Sequence, residues 1–261
     1  MHWLRRFLRP PQKPDAAPLP RLDAPVCIVG DIHGRADLLE QMLALIGTDP
    51  ALRLIFVGDY IDRGPDSAKV LIRLHDLSLS GRAICLMGNH ERMLLDAIDR
   101  PEAAGNRWLL NGGDATLRSF AASLGSTSGG AESGGAGRLP GDTEAERMAA
   151  LAMRIRAGLP HGVEAWLRAL PLWWRDRGLA VVHAGADPAL PIEHQAEASL
   201  LWGHRRFGQP RADGLWIAHG HVVVAEPKAE AGRIALDTGA WSTGRLSAAW
   251  IEAGQLRFMT T

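Results

Sequence analysis

Short apolar runs alternate with leucine-rich segments of helical periodicity through the first hundred residues of the chain. Three of the apolar runs are predicted strands, and each is followed by a polar, glycine-containing tip before the next helical pattern begins. The predicted strands cover residues 26–30, 53–58 and 82–88, and the predicted helices cover residues 37–46, 67–79 and 91–98. Such alternation is typical of a parallel sheet whose crossover helices lie on its faces.

The pattern changes beyond residue 100. Residues 105–124 contain a glycine-rich turn that leads into another helix, and helical spacing continues at 143–156 and 163–170. A strand is predicted at 179–183. Short strands separated by glycines follow at 215–219, 233–237, 246–252 and 255–259, which favours antiparallel pairing. A mostly parallel first half and an antiparallel second half predict an α/β (α+β) fold, in which two mixed sheets pack together and helices flank them.

Two segments differ from this packed pattern. Residues 1–25 are rich in proline and predict an extended, flexible leader. Within it, residues 2–9 combine arginine with aromatic and leucine side chains, a mixture compatible with weak contact to a membrane surface. Residues 125–142 are rich in glycine and serine, and they predict a flexible surface insertion within a single domain that spans 26–261.

Composition narrows the classes of function. The 261 residues are 46% hydrophobic, enough for a full core, and 29 basic side chains balance 29 acidic ones. No net charge attracts the chain to nucleic acid, so no nucleic-acid partner is predicted. No apolar run reaches the ~18 residues of a membrane span. Cys27 and Cys85 both lie inside predicted strands, which favours buried thiols and a reducing, cytoplasmic location.

Metal-binding side chains follow each of the three predicted strands. Asp31 and His33 come after the first, Asp59 after the second and Asn89 after the third. Because the carboxyl ends of parallel strands meet at one edge of a sheet, we expect these groups to lie together. Carboxylate and imidazole ligands suit divalent ions of the Mn, Fe or Zn type. The sequence therefore predicts a metal site at this edge.

Later histidines offer ligands for a second ion. His183 ends another predicted strand, and His219 and His221 flank Gly220, so that either of the two could complete the set. With Asp59 bridging, two ions about 3.5–4 Å apart would bind the attacking and leaving oxygens of a phosphoryl transfer. The residues alone predict this pair of ions and leave the choice between the two later histidines open.

Several short motifs occur in a fixed order: GDIHG at 30–34, GDYIDRG at 58–64, GNHE at 88–91, HAG at 183–185 and GH at 220–221. In this order they resemble the PPP-type serine/threonine protein phosphatases, in the bacterial, lambda-phosphatase-like branch of the calcineurin-like metallophosphoesterase superfamily. The resemblance covers roughly residues 26–252. It implies a four-layer αββα sandwich and two divalent ions per chain, Mn²⁺ foremost, with Fe or Zn as alternatives.

The resemblance also implies a role for each ligand. Asp31 and His33 would bind the first ion, and Asp59 would bridge the two. The second ion would be bound by Asn89, His183 and His221. The family pattern places this last ligand directly after a glycine, which favours His221 over His219.

Three further residues would act on the substrate if the resemblance holds. His90 would protonate the leaving alkoxide as general acid, and Asp62 would hold the imidazole of His90 in position. Arg63 would bind the phosphate oxygens through its planar guanidinium. Hydroxide bound to the metal ions would attack phosphorus directly, so that no serine or cysteine nucleophile is needed.

The chain departs from its relatives at one substrate-binding position. Relatives carry an arginine two residues after the tryptophan that matches Trp202, and here that position is His204, with Arg205 next. Either the Arg205 guanidinium takes over this contact or the His204 ring makes a looser, pH-sensitive one. We therefore expect His204 or Arg205 to contact the substrate.

These observations predict a dinuclear-metal-dependent phosphomonoesterase that acts on phosphorylated proteins or peptides, in the manner of a serine/threonine protein phosphatase. A symmetrical dinucleoside-polyphosphate hydrolase, active on diadenosine tetraphosphate, is the alternative enzyme on the same fold. The pair Asp62 and Arg63, with Glu91 after the GNH motif, favours the phosphatase. A metal-stabilised binding module without activity is the third reading, and the complete set of ligand types argues against it.

Overall fold

The computed structural model describes residues 18–124, 140–141 and 143–261. Within these ranges the chain forms two five-stranded sheets. In chain order the strands are β1 (Val26–Val29), β2 (Arg53–Phe56), β3 (Ala83–Cys85), β4 (Trp173–Asp176), β5 (Leu179–Val182), β6 (Trp216–His219), β7 (Lys228–Glu230), β8 (Arg233–Ala235), β9 (Ser247–Glu252) and β10 (Gln255–Thr260).

The helices of the described ranges lie mostly between β1 and β5. They are α1 (Ala36–Ile46), α2 (Ser67–Leu79), α3 (Asn89–Asp99), α4 (Pro101–Trp108), α5 (Asp114–Ser123), α6 (Glu144–Gly158), α7 (Val163–Arg168), α8 (Glu197–Trp202) and α9 (Ala240–Thr243). A turn of π-helix at Leu109–Gly113 joins α4 to α5, and a short 3₁₀ turn at Ile192–His194 precedes α8.

The first sheet has the strand order β10-β9-β1-β2-β3. Strands β1, β2 and β3 run parallel, with Val26 opposite Arg53 and Val29 opposite Phe56. The chain returns at its end to add β9 antiparallel to β1, and β10 pairs with β9 at the sheet edge. The carboxyl ends of the three parallel strands therefore face the same way, which places the loops that follow them side by side.

The second sheet has the order β4-β5-β6-β8-β7. Its central pairs β5–β6 and β6–β8 are parallel, whereas the outer pairs β4–β5 and β8–β7 are antiparallel. A parallel β5–β6 pair requires a crossover connection. The long segment that contains α8 provides it.

Side chains from the two sheets alternate between layers, as the two-residue period of a strand requires. Val26 and Ile28 of β1 enter a core between the sheets, where they meet residues of the second sheet such as Val181 and Ile234. Their neighbours in β1 point into the larger core under the helices. A third cluster covers the outer face of the second sheet and includes Leu200 of α8. The layers are thus helices, sheet, sheet and helices.

This architecture confirms the predicted α/β class with two packed mixed sheets. The prediction of antiparallel pairing among the later strands is wrong for β6 and β8, which pair in parallel, because glycines between short strands do not report the long connection between them. It is confirmed for β9 and β10. β4 and β7 were not predicted. The glycine-rich turn predicted within 105–124 is confirmed, because Gly112, with a φ of 105°, interrupts the helical path between α4 and α5.

Parts of the predicted leader and insertion lie outside the described residues, including residues 2–9 and most of 125–142. The described end of the leader contacts the domain, since Leu19 and Leu22 pack against the core between the sheets. In the described part of the chain, no helix combines the length and apolar character that a membrane crossing requires.

Candidate metal centre and active site

Backbone strain is concentrated in the loops that carry the predicted site residues. Most non-glycine residues avoid a positive φ, and exceptions cluster at functional sites because the surrounding structure must enforce them. Positive φ angles occur here at His33 (45°), Asp59 (56°), Asp62 (70°), Arg63 (67°) and His221 (62°). The loops after β1, β2 and β6 therefore hold their side chains in directions that a relaxed strand end would not give.

Two glycines let these loops approach one another. A Cβ atom on Gly88 would overlap the backbone nitrogen of Asp59, and one on Gly220 would overlap Oδ1 of Asp31. Because glycine has no side chain, Gly88 lets the loops after β2 and β3 come together. Gly220 in the same way lets the loop after β6 approach Asp31. This close backbone contact gathers groups that are distant in the sequence.

Asp59 lies at the centre of the site. Its Oδ2 is 3.5 Å from Nε2 of His33, and its Oδ1 is 3.4 Å from Nε2 of His183. Two groups of buried or half-buried donors share this carboxylate, namely His33, Asp59 and His90, and Asp59, His183 and His221. In each group the ligand atoms lie within 4.8 Å of one another, a spacing that a metal ion could span.

The tautomers of two of these histidines follow from their hydrogen bonds. Nδ1 of His33 donates to the carbonyl oxygen of Ile61 at 2.8 Å, and Nδ1 of His183 donates to that of Val57 at 3.1 Å. Each Nε2 therefore presents a lone pair to the Asp59 side of the site. Burial lowers the pKa of His33 to about 3 and that of His183 to about 4, so both rings are neutral ligands at pH 7.

Acceptor atoms converge here in a way that fits a cation. Oδ1 of Asn89 is 2.8 Å from Nε2 of His183 and 3.1 Å from Nδ1 of His221. In this orientation the amide oxygen of Asn89 faces only hydrogen-bond acceptors. Without a cation, these acceptors would be satisfied only if the amide were rotated so that its nitrogen faced them. Oδ1 of Asp31 is also buried without a hydrogen-bond donor. A positive ion among these atoms would relieve both deficits.

Asp31 closes the site from the side of β1. Its Oδ2 accepts a hydrogen bond from the backbone N–H of His221 at 3.0 Å, which ties the loop after β6 to the end of β1. Burial, followed by the negative charges of Asp237 and Asp59, holds the pKa of Asp31 well above its ordinary value. A bound cation would offset this repulsion and favour the ionised carboxylate.

His90, a member of the first group, also forms a hydrogen-bonded dyad with Asp62. Nδ1 of His90 lies 2.7 Å from Oδ2 of Asp62. Asp62 also accepts hydrogen bonds from Oγ1 of Thr116 at 2.7 Å and from Nε1 of Trp108 at 3.0 Å. Burial alone would lower the pKa of His90, but the negative charges of Asp59 and Asp62 outweigh it and raise this pKa above its ordinary value. The dyad therefore provides an imidazole disposed to carry a proton.

Arg63 reaches across the opening between the two histidines on its side. Nη1 lies 3.2 Å from Nε2 of His33, and Nη2 lies 3.1 Å from Nε2 of His90. The backbone N–H of Arg63 donates to the carbonyl oxygen of Gly112 at 3.2 Å, and its guanidinium lies 5.6 Å from the ring centroid of Trp241. A cationic fork in this position suits an anionic group bound over the metal-binding atoms.

Glu91 joins two of the loops that form the site. Its carboxylate accepts hydrogen bonds from the backbone N–H groups of Asp59 at 2.9 Å, Tyr60 at 2.8 Å and Gly88 at 3.1 Å. Sequence reasoning quoted Glu91 only as part of a motif and missed the supporting roles of Trp108 and Thr116. The hydrogen bonds that define those roles join residues 46 and 54 positions apart, so local pattern carried no signal for them.

The remaining candidates lie in different surroundings. His221 joins the central cluster, whereas the ring of His219 packs edge-on against Phe207 with centroids 5.0 Å apart. Nε2 of His204 is 3.7 Å from Oδ2 of Asp187, and Arg205 is exposed to solvent. The structure therefore brings His221 into the site, while His204 faces the carboxylate of Asp187.

Comparison with known proteins agrees with this arrangement. A family model described as calcineurin-like phosphoesterase matches residues 24–225. The chain is 32% identical to serine/threonine-protein phosphatase 1 of Salmonella typhimurium, over 87% of this chain and 92% of that protein. It is 28% identical to serine/threonine-protein phosphatase 2 of Escherichia coli, over 85% of this chain and 90% of that protein.

A solved structure shares the fold. It is the crystal structure of a putative diadenosine tetraphosphatase, which superposes with a TM-score of 0.60 at 24% identity and covers 93% of this chain and 96% of its own. The match of the family model spans the loops that carry Asp31, Asp59, Asn89, His183 and His221. This chain belongs to the calcineurin-like phosphoesterase family.

Proposed function

We propose that the protein is a dinuclear-metal-dependent phosphomonoesterase and, more narrowly, a serine/threonine protein phosphatase. The observation that carries the proposal is the position of Asp59, which two groups of metal-binding side chains share within 4.8 Å. His90, a member of the first group, is hydrogen-bonded to Asp62 and lies next to Arg63. Groups suited to bind metal ions, to donate a proton and to bind an anion thus lie within one site. The two bacterial phosphatases that resemble most of the chain support a phosphorylated protein or peptide as the substrate.

The ligands divide into two sets in this proposal. Asp31 and His33 would hold one ion, Asp59 would contact both, and the other ion would be held by Asn89, His183 and His221. The mixture of carboxylate, amide and imidazole suits Mn²⁺, with Fe or Zn as alternatives. When bound, such ions polarise phosphoryl oxygens and make a coordinated water a better nucleophile near neutral pH.

The other side chains then act on the substrate directly. Arg63 would bind two oxygens of the phosphoryl group and orient it between His33 and His90. His90 would donate the proton from Nε2 to the departing alkoxide oxygen, while Asp62 keeps the ring aligned and stabilises its positive charge. His204 and Arg205 would contact parts of the substrate farther from the reacting bond.

The proposal is tested with purified protein and two substrates, p-nitrophenyl phosphate and a phosphothreonine peptide. We expect turnover of both with Mn²⁺ present, loss of turnover in EDTA and recovery when Mn²⁺ is added back. Asp59→Asn should abolish the activity, whereas Asp49→Asn, in an exposed loop before β2, should leave it unchanged. A wild-type protein that binds Mn²⁺ but hydrolyses neither substrate would refute the proposal.

A second candidate is hydrolysis of dinucleoside polyphosphates, which the likeness of fold to a putative diadenosine tetraphosphatase keeps open. The full dyad of His90 and Asp62, with Arg63 beside it, favours the phosphatase. Comparing kcat/KM for the phosphothreonine peptide with kcat/KM for diadenosine tetraphosphate separates the two. A clear preference for the dinucleotide would reverse our choice.

The place of action proposed for this enzyme is the cytoplasm. Cys27 and Cys85 are both buried and free, which fits a reducing compartment. Fractionation of cells that produce the protein would test this, with activity in the cytoplasmic fraction as the expected result.

A further inference from the structure

A second tryptophan–arginine pair lies next to the metal-binding residue His221. The guanidinium carbon of Arg107, in the last turn of α4, lies 4.4 Å from the ring centroid of Trp202 at the end of α8. The ring of Trp202 in turn meets the ring of His221 edge-on, with centroids 6.3 Å apart and planes at 89°. Arg107 is thus connected through one aromatic ring to a predicted metal ligand.

The charge of Arg107 has no acidic partner in the part of the chain that the structure describes, because no carboxylate there lies within ion-pair distance of its guanidinium. Other arginines do pair with carboxylates, for example Arg100 with Asp96 at 3.0 Å and Arg206 with Asp187 at 2.8 Å. An uncompensated cation beside a site that receives anions is available for the substrate.

The position of this cation is fixed before any ligand binds. A guanidinium stacked on a tryptophan face gains cation–π attraction and loses rotational freedom. The main chain is held as well, because Nδ2 of Asn111 donates to the carbonyl oxygen of Arg107 at 2.8 Å, and the next residue, Trp108, is buried against Asp62. A preorganised donor binds an anion at a lower entropic cost than a free arginine.

Arg107 is distinct from the group that would bind the reacting phosphoryl. The histidine rings form two close pairs, His33 with His90 at 4.6 Å and His183 with His221 at 5.1 Å. Arg63 contacts the first pair directly, whereas Arg107 is connected to the second pair only through Trp202. Arg107 therefore lies farther than Arg63 from the histidines that would act on the scissile ester.

We propose that Arg107 is a specificity-determining residue that binds an acidic side chain next to the phosphorylated residue of a peptide substrate. The inference rests on the proposed phosphatase function and adds the charge of the preferred sequence to it. Half-exposed Trp202 serves as the platform on which the guanidinium is held. Serine and threonine phosphates flanked by aspartate or glutamate would be the favoured substrates.

The experiment uses a set of phosphothreonine peptides that differ at a single position. That position is one of the two residues before or the two residues after the phosphothreonine, and it is occupied by Asp, Asn or Lys. For the wild type with Mn²⁺, we expect at least one position where Asp raises kcat/KM about fivefold over Asn, the scale of a well-placed charge pair. The preference should weaken at high salt because the contact is near the surface.

Substitutions at Arg107 then identify the source of the preference. Arg107→Ala should equalise the Asp and Asn peptides, and Arg107→Glu should favour Lys over Asp at the same position. Both variants should turn over p-nitrophenyl phosphate within about twofold of the wild type, since that substrate has no second anion. Arg82→Ala, exposed before β3 at the opposite end of the sheet, is the matched control and should keep the preference.

The outcomes separate the two proposals. If the wild type hydrolyses the peptides but shows no preference, or if Arg107→Ala keeps it, the role of Arg107 is overturned while the phosphatase function stands. If the wild type hydrolyses no phosphate ester, the function itself fails. If Arg107→Ala impairs diadenosine tetraphosphate hydrolysis and leaves all peptides unaffected, Arg107 binds polyphosphate and the peptide proposal is overturned.

Discussion

The imidazole of His90 and the carboxylate of Asp62 are joined by a 2.7 Å contact between Nδ1 and Oδ2. His90 lies in the first turn of α3, whereas Asp62 lies in the loop after β2, so the contact exists only because β2 and β3 are neighbours in the sheet. It fixes the ring so that Nε2 faces Asp59 and Arg63. This relationship connects the fold to proton transfer.

His90→Asn should lower kcat on a phosphothreonine peptide by about 100-fold or more, the usual contribution of a general acid. The loss on p-nitrophenyl phosphate should be smaller, because its phenolate leaves without a proton. Steady-state kinetics on both substrates check this difference. His75→Asn, on α2 against Trp166, serves as the control. Full activity of His90→Asn on the peptide would contradict the assigned role.

Trp108→Phe should lower kcat several-fold and leave KM nearly unchanged. The substitution keeps an aromatic ring in the core but removes the Nε1–H that donates to Asp62 at 3.0 Å. A buried acceptor that loses one donor should also reduce the free energy of unfolding by about 1–3 kcal/mol. Urea denaturation measures the stability change, and Trp166→Phe, a ring stacked near Tyr60, controls for the loss of an indole. An unchanged kcat would show that Asp62 is held well enough without Trp108.

Addition of Mn²⁺ to protein treated with EDTA should raise its thermal unfolding temperature. At a free concentration 100 times the Kd, one bound ion stabilises the fold by about 2.7 kcal/mol. Asp59→Asn should abolish most of this shift, because Asp59 belongs to both metal-binding groups. Asp49→Asn should show the wild-type shift. Equal shifts in all three proteins would mean that the ions bind elsewhere.

Gly112→Ala should raise KM for phosphate esters, in addition to any loss in the free energy of unfolding. Gly112 has a φ of 105°, and a Cβ there would lie 2.9 Å from both Cγ and the backbone nitrogen of Arg63. The new methyl group would therefore displace the guanidinium that we propose binds the phosphoryl oxygens.

Gly47→Ala provides the control for the backbone cost of a positive φ. Gly47 has a φ of 79° and open space around the corresponding Cβ, so this variant should lose stability, about 1 kcal/mol, without a change in KM. If both alanine variants leave KM at the wild-type value, the contact between Gly112 and Arg63 does not position the arginine.

Much of the first sheet could be predicted from the chain itself. The runs that became β1, β2 and β3 are apolar apart from the exposed Arg53 at the start of β2, because strands buried on both faces need no polar face. The prediction of α2 at 67–79 matches the observed helix Ser67–Leu79. Apolar runs and helical spacing are local signals that act within one element, and the elements of this sheet follow them.

Other features depended on distant partners. The sequence did not indicate that β9 returns to pair with β1, nor that β6 lies parallel between β5 and β8. The glycines at 112 and 113 indicated a turn, and Gly112 does break the helical path there. Only the structure shows that the ring of Trp108 occupies the space where a side chain on Gly113 would stand.

The identity of the chemical groups at the edge of the sheet could be read from the chain alone, because motif residues that directly follow parallel strands must emerge at the same edge. How those groups are arranged could not, because it depends on how the elements pack. Asp59 is shared by two clusters, Trp108 and Thr116 hold Asp62, and Arg107 is stacked beside His221 through Trp202. These contacts join separate elements, and their geometry depends on packing between sheets and helices that no local pattern encodes.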